Sequence, residues 1–380
     1  MDMILSEDQI MIKEMVSEYA QSVIAPKSEE IDKTGRFPEE IVADLFEMGL
    51  TGIGIPEEYG GIGMGVSEKI VAVEELAKVD GAVGGIYSIS SVFQQAVLRF
   101  GTEEQKKKYL PQVTTEGFLG AFALTEANAG SDAGATRTTA ILDEKSGEYV
   151  INGSKTFITS GKQAEYVCVF CLTNPELKAK GLSGIIVQKG TPGFSYGKTE
   201  DKMGIRGSET VELVFNNCRV PKENLLGQEN KGFGIALSLL DTARIGIAAQ
   251  AIGIAQGALD ASIKYVKERK QFGKPIANLQ GIQWYIADMA TMIAASRSLT
   301  YHAAGVADRG ERHTSEAAMA KYNASQTARE VTNLALQIHG GYGYMKDFPL
   351  ERMYRDAKIT EIYEGTSEIQ KIVIARSLLA

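Results

Sequence analysis

Residues 235–268 read IALSLLDTARIGIAAQAIGIAQGALDASIKYVKE and carry the strongest structural pattern in the chain. Apolar side chains recur there every seven residues, at Ile245, Ile252, Leu259 and Val266. This spacing predicts one long helix with the apolar seam of a helical bundle. Each of the three glycines in the stretch would cost an isolated helix about 1 kcal/mol relative to alanine. We therefore expect a neighbouring helix or a ligand to lie close against Gly246, Gly253 and Gly257.

The sequence pattern differs on the N-terminal side of this helix. Residues 121–230 contain short β-rich runs, with a hairpin signal at Asn152-Gly153 and a stretch over 217–226 typical of a connection between domains. The residues before and after have helical patterns. The predicted fold class is α+β, with an N-terminal all-α domain (1–120), a middle β-barrel or β-sandwich domain (121–230) and a C-terminal four-helix bundle (231–380).

Composition argues against several classes of protein. The 380 residues are 44% hydrophobic and 23% charged, as in an ordinary globular protein, and the net charge of −8 argues against a nucleic-acid partner. We see no apolar run that approaches the ~20 residues of a membrane span. The N-terminus lacks the pattern of a signal peptide. We therefore expect a cytoplasmic protein of bacterial or archaeal type.

The cysteines and histidines give no metal-binding pattern. Cys168 and Cys171 have CxxC spacing, but they lie in a run typical of a buried strand. Residues three apart on a strand point to opposite faces, so this pair cannot easily share a metal ion. The three histidines are scattered without ligand spacing. We predict that the chain has no metal site.

A carboxylate lies at a break between two helical patterns near the C-terminus, in Ile362-Tyr363-Glu364-Gly365-Thr366. The pattern before it covers 354–359, and the pattern after it begins near Ser367, which has capping-box spacing with Gln370. A carboxylate on a tight turn beside an aromatic ring is a candidate general base. On these five residues alone, a solvated turn glutamate is the simpler interpretation.

The remaining signals are polar, glycine-rich segments at the edges of the predicted domains. No GxGxxG follows a predicted strand, and no GxxxxGK[ST] is present. The segments are 124–132, 155–161, 268–273 and 337–343. In this order and at these intervals they resemble the acyl-CoA dehydrogenase family over essentially the whole chain. The stretches 202–206, 245–250 and 357–366 are most similar to short-chain, butyryl-CoA-type members from anaerobic bacteria.

This resemblance implies FAD-dependent α,β-dehydrogenation of a short-chain acyl-CoA to the trans-2-enoyl-CoA, with electrons passed to an electron-transferring flavoprotein. The same chemistry in reverse would make an enoyl-CoA or aryl-acrylyl-CoA reductase, for example of caffeyl-CoA. An acyl-CoA oxidase and a non-enzymatic flavin-binding scaffold are weaker alternatives, because such relatives have longer chains and the scaffolds are basic. The stretch 90–96 departs from the usual acyl-pocket pattern, so the acyl group stays open.

The family also implies which residues bind FAD, between the middle domain and the C-terminal helices. On the middle domain these are Phe122, Leu124, Thr125, Gly130, Ser131, Phe157 and Thr159. On the C-terminal helices they are Arg269, Gln271, Phe272, Gln280, Gln337, Gly340, Gly341, Thr366 and Glu368. In the family, the segments of Arg269 and Gly340-Gly341 serve the FAD of a neighbouring subunit. The resemblance thus implies a homo-oligomer, usually a tetramer.

By the same resemblance, Glu364 is the catalytic base that removes the α-proton of the acyl-CoA thioester. The implied substrate-binding residues are Ser131, Asp241, Arg244, Tyr363, Gly365 and Arg376. From spacing alone, the Asp241/Arg244 pair is typical of a surface ion pair. Isovaleryl-type members carry their base immediately before the arginine of the long helix. This chain has Ala243 there, which favours Glu364.

Overall fold

The computed structural model describes residues 5–379, and its N-terminal part is helical, as predicted. The helices are α1 (Glu7–Tyr19), α2 (Ser28–Thr34), α3 (Glu39–Glu47), α4 (Val66–Val79), α5 (Gly81–Phe100) and α6 (Glu103–Thr114). Ser6 and Thr102 form capping boxes that start α1 and α6. Asp80 separates α4 from α5 and caps α5, because its carboxylate accepts from the peptide N–H groups of Ala82 and Val83.

The middle part is one eight-stranded sheet. Its strands are β1 (Leu119–Ala123), β2 (Thr139–Asp143), β3 (Glu148–Thr159), β4 (Ala164–Leu172), β5 (Leu182–Gln188), β6 (Phe194–Thr199), β7 (Thr210–Pro221) and β8 (Leu225–Leu226). The strand order is β6-β7-β3-β2-β4-β5-β8, and β1 pairs with β4 in parallel. The sheet buries side chains on both faces of β4. Cys168 packs with residues of α5 and α6, whereas Cys171 packs with strand residues only, which confirms the predicted opposite faces.

Two sequence predictions for this part are wrong in detail. Asn152-Gly153 is not a hairpin turn, because β3 continues through both residues and bulges there against β7. The hairpin between β2 and β3 is instead closed by residues 144–147, with Gly147 in a left-handed conformation. The stretch 217–226 is also more regular than a connection, since β7 extends to Pro221 and β8 pairs with β5.

The C-terminal part is helical again. Its elements are α7 (Gly232–Glu268), a two-stranded ribbon of β9 (Lys270–Gln271) and β10 (Lys274–Pro275), α8 (Gln280–Asp308), α9 (Thr314–His339), α10 (Leu350–Ile359) and α11 (Ser367–Leu379). The long helix α7 is central, because it packs against α4, α5, α8 and α9. It therefore joins the N-terminal and C-terminal helices into one core.

The glycines of α7 mark the places where α4 and α5 approach most closely. A Cβ at Gly246 would collide with Ser88, and one at Gly253 or Gly257 would collide with backbone carbonyls of α4. The predicted close approach of a neighbouring helix is confirmed. The conformational cost of glycine in a helix is offset by packing that a side chain would prevent.

By length and composition, α7 could cross a membrane, although the sequence reading identified no such run. In the folded chain, 61% of its most apolar window is buried against other elements. A helix that is apolar nearly all round is also what a protein core requires. Burial in the core therefore explains its composition.

Candidate active site

The turn between α10 and α11 holds Glu364 in a left-handed backbone conformation, with φ of 54°. Gly365 follows with φ of 94°. A left-handed conformation is uncommon for a residue with a side chain and persists only where the surroundings fix it. The break between helices is thus confirmed, and its glutamate is half-buried rather than fully exposed.

Three side chains from three helices hold this turn. Arg244 Nε of α7 donates to the carbonyl oxygen of Glu364 at 3.4 Å, and Lys321 Nζ of α9 donates to that of Gly365 at 2.7 Å. Gln370 Nε2 of α11 donates to the same two oxygens, at 3.3 and 2.8 Å. The predicted capping box of Ser367 and Gln370 is therefore wrong. Thr366 caps α11 through Oγ1, which accepts from the peptide N–H of Ile369.

The carboxylate of Glu364 is partly unsatisfied. Its Oε2 atom is buried and has no hydrogen-bond partner among residues 5–379. Burial raises the pKa of this carboxyl above its ordinary value, and the charges of Arg244 and Lys321 offset part of that rise. Burial in turn lowers the pKa of Lys321 to about 8. A desolvated carboxylate without a partner can take a proton from a ligand more readily than a solvated one.

Arg244 connects the turn to the start of α7. Its side chain is only 4% exposed, and its Nη1 atom donates to Asp241 Oδ1 at 2.7 Å. Thr314 Oγ1 donates to the other oxygen of Asp241 at 2.7 Å. The interpretation of Asp241 and Arg244 as a surface ion pair is therefore wrong. A buried, paired arginine can fix the backbone of the turn at Glu364.

Tyr363 is fixed from the other side. Its hydroxyl and Gln250 Oε1 are hydrogen-bonded, and Gln250 Nε2 donates to the carbonyl oxygen of Gly81 at 2.7 Å. Burial raises the pKa of the Tyr363 hydroxyl, so it stays protonated. Tyr363 thus links the turn to α7 and to the start of α5.

A small cavity of about 50 Å³ lies between α4, α5 and α7. Ala243 and Gly246 of α7 line it. They lie about two turns and one turn before Gln250, whose side chain bonds Tyr363. The α5 wall consists of Ser88, Ser91, Val92 and Gln95, which overlaps the stretch that departs from the family pattern. Sequence reasoning did not predict the α4 wall, which consists of Val66, Lys69, Ile70 and Val73. The i, i+3, i+4, i+7 spacing of that wall was the available signal, but the same spacing also describes an ordinary core face.

The loop after β1 contains most of the predicted middle-domain cofactor residues. It begins at Leu124 and Thr125, whose carbonyl oxygens accept from Lys155 Nζ at 2.9 Å and from the peptide N–H of Thr156 at 2.9 Å. Lys155 Nζ also donates to Glu126 at 2.8 Å, and both side chains are buried. Sequence reasoning missed this ion pair, because nothing in the local pattern distinguishes a buried lysine from an exposed one.

The side chains around this loop are accessible, as a bound flavin would require. Phe157 is 61% exposed with φ of 59°, Gly130 and Ser131 are exposed, and Thr125 and Thr159 are half-buried. Phe122 packs on Phe170, with ring centroids 5.1 Å apart. An exposed aromatic ring in a left-handed bulge beside accessible hydroxyl groups fits a planar ligand that stacks and accepts hydrogen bonds.

A second cavity, of about 510 Å³, gathers other predicted cofactor residues. Arg269, Gln271, Phe272, Gly340 and Gly341 line it. The Arg269 guanidinium lies 5.5 Å from the ring centroid of Tyr342, and Phe272 is 88% exposed. No described atom lies within 4 Å of where a Cβ would stand on Gly340 or Gly341. These two glycines leave their backbone open, and Arg269 of the same cavity makes no ion pair within the described chain. Both features fit a pyrophosphate group.

Four further predicted site residues line neither the cavity between α4, α5 and α7 nor the cavity at Arg269. Gln280 begins α8, Gln337 is near the end of α9, and both are exposed. Glu368 is exposed in the first turn of α11. Arg376 is exposed and makes no ion pair within the part of the chain that the structure describes. The first cavity and the second share no lining residue.

Comparisons with known proteins cover the whole chain. Models of the N-terminal, middle and C-terminal domains of acyl-CoA dehydrogenase match residues 6–117, 121–218 and 230–379. The acryloyl-CoA reductase (NADH) of Anaerotignum propionicum is 61% identical over 379 residues, which are 100% of this chain and 96% of that protein.

Two solved structures are similar over 100% of both chains. Butyryl-CoA dehydrogenase from Megasphaera elsdenii has a TM-score of 0.98 at 45% identity. A chain from a study of the electron transferring flavoprotein of Acidaminococcus fermentans and flavin-based electron bifurcation has a TM-score of 0.97 at 51% identity.

Proposed function

Because this chain belongs to the acyl-CoA dehydrogenase family and shares its FAD-dependent chemistry, we propose that it converts a short-chain acyl-CoA to the trans-2-enoyl-CoA. Electrons would pass to an electron-transferring flavoprotein. The observation that carries the proposal is the buried, unpartnered Oε2 atom of Glu364. The preceding residue, Tyr363, is hydrogen-bonded to Gln250, which lies one helical turn from the cavity-lining Gly246.

In this proposal Glu364 takes the α-proton of the thioester. The α-proton is only weakly acidic, so a base with a raised pKa matches it better than a solvated glutamate. When bound, FAD supplies the acceptor for the β-hydrogen, which leaves as hydride. The peptide N–H of Glu364 makes no hydrogen bond within residues 5–379, so it is available to donate to the thioester oxygen as negative charge develops there.

The cavity size supports a short acyl group. A water molecule needs roughly 10–15 Å³ by this kind of measure, so about 50 Å³ holds only a few non-hydrogen atoms. That room suits the carbons of a propionyl or butyryl group. An aromatic ring has six carbons and needs more room than this cavity provides. The cavity therefore disfavours an aryl-acrylyl substrate.

Enoyl-CoA reduction is the second candidate, and the 61% identity to an acryloyl-CoA reductase favours it. The same residues would serve, because the reverse reaction follows the same path. Glu364 would then deliver its proton to Cα of the enoyl group. Its raised pKa suits that role as well, since the protonated form persists closer to neutral pH.

An anaerobic titration of the yellow FAD-bound protein tests both directions. We expect propionyl- or butyryl-CoA to bleach the flavin absorbance, and acryloyl- or crotonyl-CoA to restore it in the chemically reduced protein. The ratio of the two single-turnover rates, with an electron-transferring flavoprotein present, would indicate the favoured direction. A flavin that responds to none of the four thioesters would refute the proposed function.

We also propose that the protein works as a homotetramer in the bacterial cytoplasm. The support is the separation between the two groups of predicted cofactor residues. The loop after β1 lies on the middle domain, whereas Arg269 and Gly340 line a cavity on the C-terminal helices. One FAD molecule could use both groups if the second came from a neighbouring subunit.

A further inference from the structure

A lysine side chain lines the cavity between α4, α5 and α7. Lys69 lies on the α4 face that lines the cavity, together with Val66, Ile70 and Val73. Its side chain is half-buried because it borders this space, and the surrounding protein lowers the pKa of its ammonium group to about 7. A basic group is therefore exposed to whatever fills the cavity.

The side chain of Lys69 has no ionic or hydrogen-bonding partner within residues 5–379. Its closest charge-stabilising contact there is the ring of Tyr87, whose centroid lies 5.5 Å from Nζ. Lys78 is nine residues further along α4 and so lies on the opposite face. In contrast to Lys69, it forms an ion pair with Asp260 at 3.0 Å. One lysine of this helix is paired at the surface, and the other faces the cavity without a counter-charge.

Of the four other polar side chains that line the cavity, all but Ser88 have hydrogen-bond partners. Gln95 Nε2 donates to the carbonyl oxygen of Gly54 at 3.2 Å, and Ser91 Oγ donates to that of Ser88 at 2.6 Å. Thr242 Oγ1 and His313 Nε2 are 3.2 Å apart. The described lining includes no carboxylate. The hydrogen-bonding needs of Lys69 must therefore be met by water or by the ligand in the cavity.

This arrangement has a consequence for acyl-chain length. A short acyl group leaves water at Nζ, whereas a longer alkyl tail would replace that water with methylene or methyl groups. Burying a charged or polar group against carbon without a hydrogen bond is costly. An unpaired polar group in a pocket also discriminates more strongly than an apolar wall does.

We propose that Lys69 determines specificity by excluding alkyl tails, so that the site favours three-carbon acyl groups over butyryl and longer ones. This inference rests on the proposed acyl-CoA activity. It adds Lys69 of α4 to the site and identifies acyl-chain length as the substrate property that this residue discriminates.

The test compares kcat/KM for propionyl-CoA and butyryl-CoA, and for acryloyl-CoA and crotonyl-CoA, in the FAD-bound protein. In Lys69→Met we expect the ratio of four-carbon to three-carbon activity to rise by about 10-fold or more, because one methylene is worth that much in an apolar pocket. Lys69→Arg keeps the charge and should keep the preference for three carbons. Lys78→Met removes an equal charge from the opposite face of α4 and should leave the ratio unchanged.

The outcomes separate this inference from the proposed function. A wild-type protein that turns over no acyl- or enoyl-CoA would refute the function itself. A wild-type protein that is active but prefers four carbons, or a Lys69→Met variant with full FAD content and an unchanged ratio, would overturn the role of Lys69. If Lys69→Met does not fold, Lys69→Leu gives the same comparison with a second apolar side chain.

Discussion

At the scale of single residues, the turn at Glu364 is strained, and side chains from outside the turn compensate for that strain. A left-handed glutamate costs of order 1 kcal/mol or more. Arg244, Lys321 and Gln370 offset that cost, because each donates to a carbonyl oxygen of Glu364 or Gly365. The same contacts place two positive charges near the carboxylate. They keep a base with a raised pKa from remaining permanently protonated.

The pH dependence of flavin bleaching follows from this balance. Because the pKa of Glu364 is raised, the rate of dehydrogenation should fall as the pH drops through a value above the ordinary glutamate range. Enoyl-CoA reduction needs the protonated form, so its rate should fall as the pH rises through the same value. Glu364→Gln should reduce both rates by about 10²–10⁴-fold and remove this pH dependence. Stopped-flow absorbance from pH 5 to 9 measures both effects.

The control for that experiment is binding rather than turnover. The Glu364→Gln variant should retain FAD and should still bind a non-reacting acyl-CoA analogue, because the peptide geometry of the turn is preserved. Bleaching by the variant at the wild-type rate would mean that another group removes the proton.

At the scale of elements, the loop after β1 is positioned by one buried ion pair. Burial would raise the pKa of Glu126, but Lys155 and the peptide N–H of Thr138 hold it below its ordinary value. Lys155 also donates to the carbonyl oxygen of Leu124. The loop, β3 and the start of β2 are therefore fixed together by groups that cannot reach water. FAD binding depends on this geometry if the loop contacts the flavin.

Lys155→Met tests this coupling. Removing one partner of a buried pair leaves an uncompensated charge and typically costs about 3–5 kcal/mol, so we expect a lower thermal midpoint and a smaller FAD content. Because the stabilised carboxylate of Glu126 has a lowered pKa, its contribution is present above the ordinary carboxyl pKa and is lost as the pH falls.

Lys162→Met provides the matched control for Lys155→Met. This lysine is 42% exposed and lies 3.9 Å from Glu209, so its loss should change stability by less than about 1 kcal/mol. Equal effects of the two substitutions on the thermal midpoint and on the FAD content would show that the buried pair has no special role.

At the scale of the whole molecule, α7 connects the three parts of the chain. Its glycines allow α4 and α5 to pack closely against it, and its Arg244 donates to the carbonyl oxygen of Glu364. Asp356 of α10 adds a contact with the middle part, because its carboxylate accepts from the peptide N–H of Ile205. The site is thus formed at the junction of parts that are distant in sequence. The proposed sharing of FAD between subunits would extend this arrangement to the oligomer.

Combining two variant subunits in one tetramer tests whether FAD is shared between subunits. Glu364→Gln should inactivate the base, and Arg269→Ala should weaken FAD binding to a neighbouring subunit, so each variant alone should have little activity. In a co-expressed mixed tetramer, some sites would combine Glu364 of one chain with Arg269 of another. We expect activity to return in the purified mixed species. Mixed tetramers that stay as inactive as the single variants, or a monomer by light scattering, would contradict shared sites.

The sequence by itself determined the order of domains, the long helix, the family and the break between helices at Glu364. These features depend on local periodicity, on glycine-rich segments and on motifs at fixed intervals, all of which are visible along the chain. It also indicated that Gly246, Gly253 and Gly257 need a close neighbour, because the cost of glycine in a helix is local.

Only the tertiary structure decided what surrounds those features. The side chains that hold the catalytic turn come from positions up to 120 residues away, the ion pair of Lys155 was unsuspected, and Lys69 looked like any helical lysine. The hairpin signal at Asn152-Gly153 failed because pairing with β7 outweighed the local turn preference. Contacts between distant segments set burial, pKa and cavity shape, and none of these has a period or a motif in the sequence.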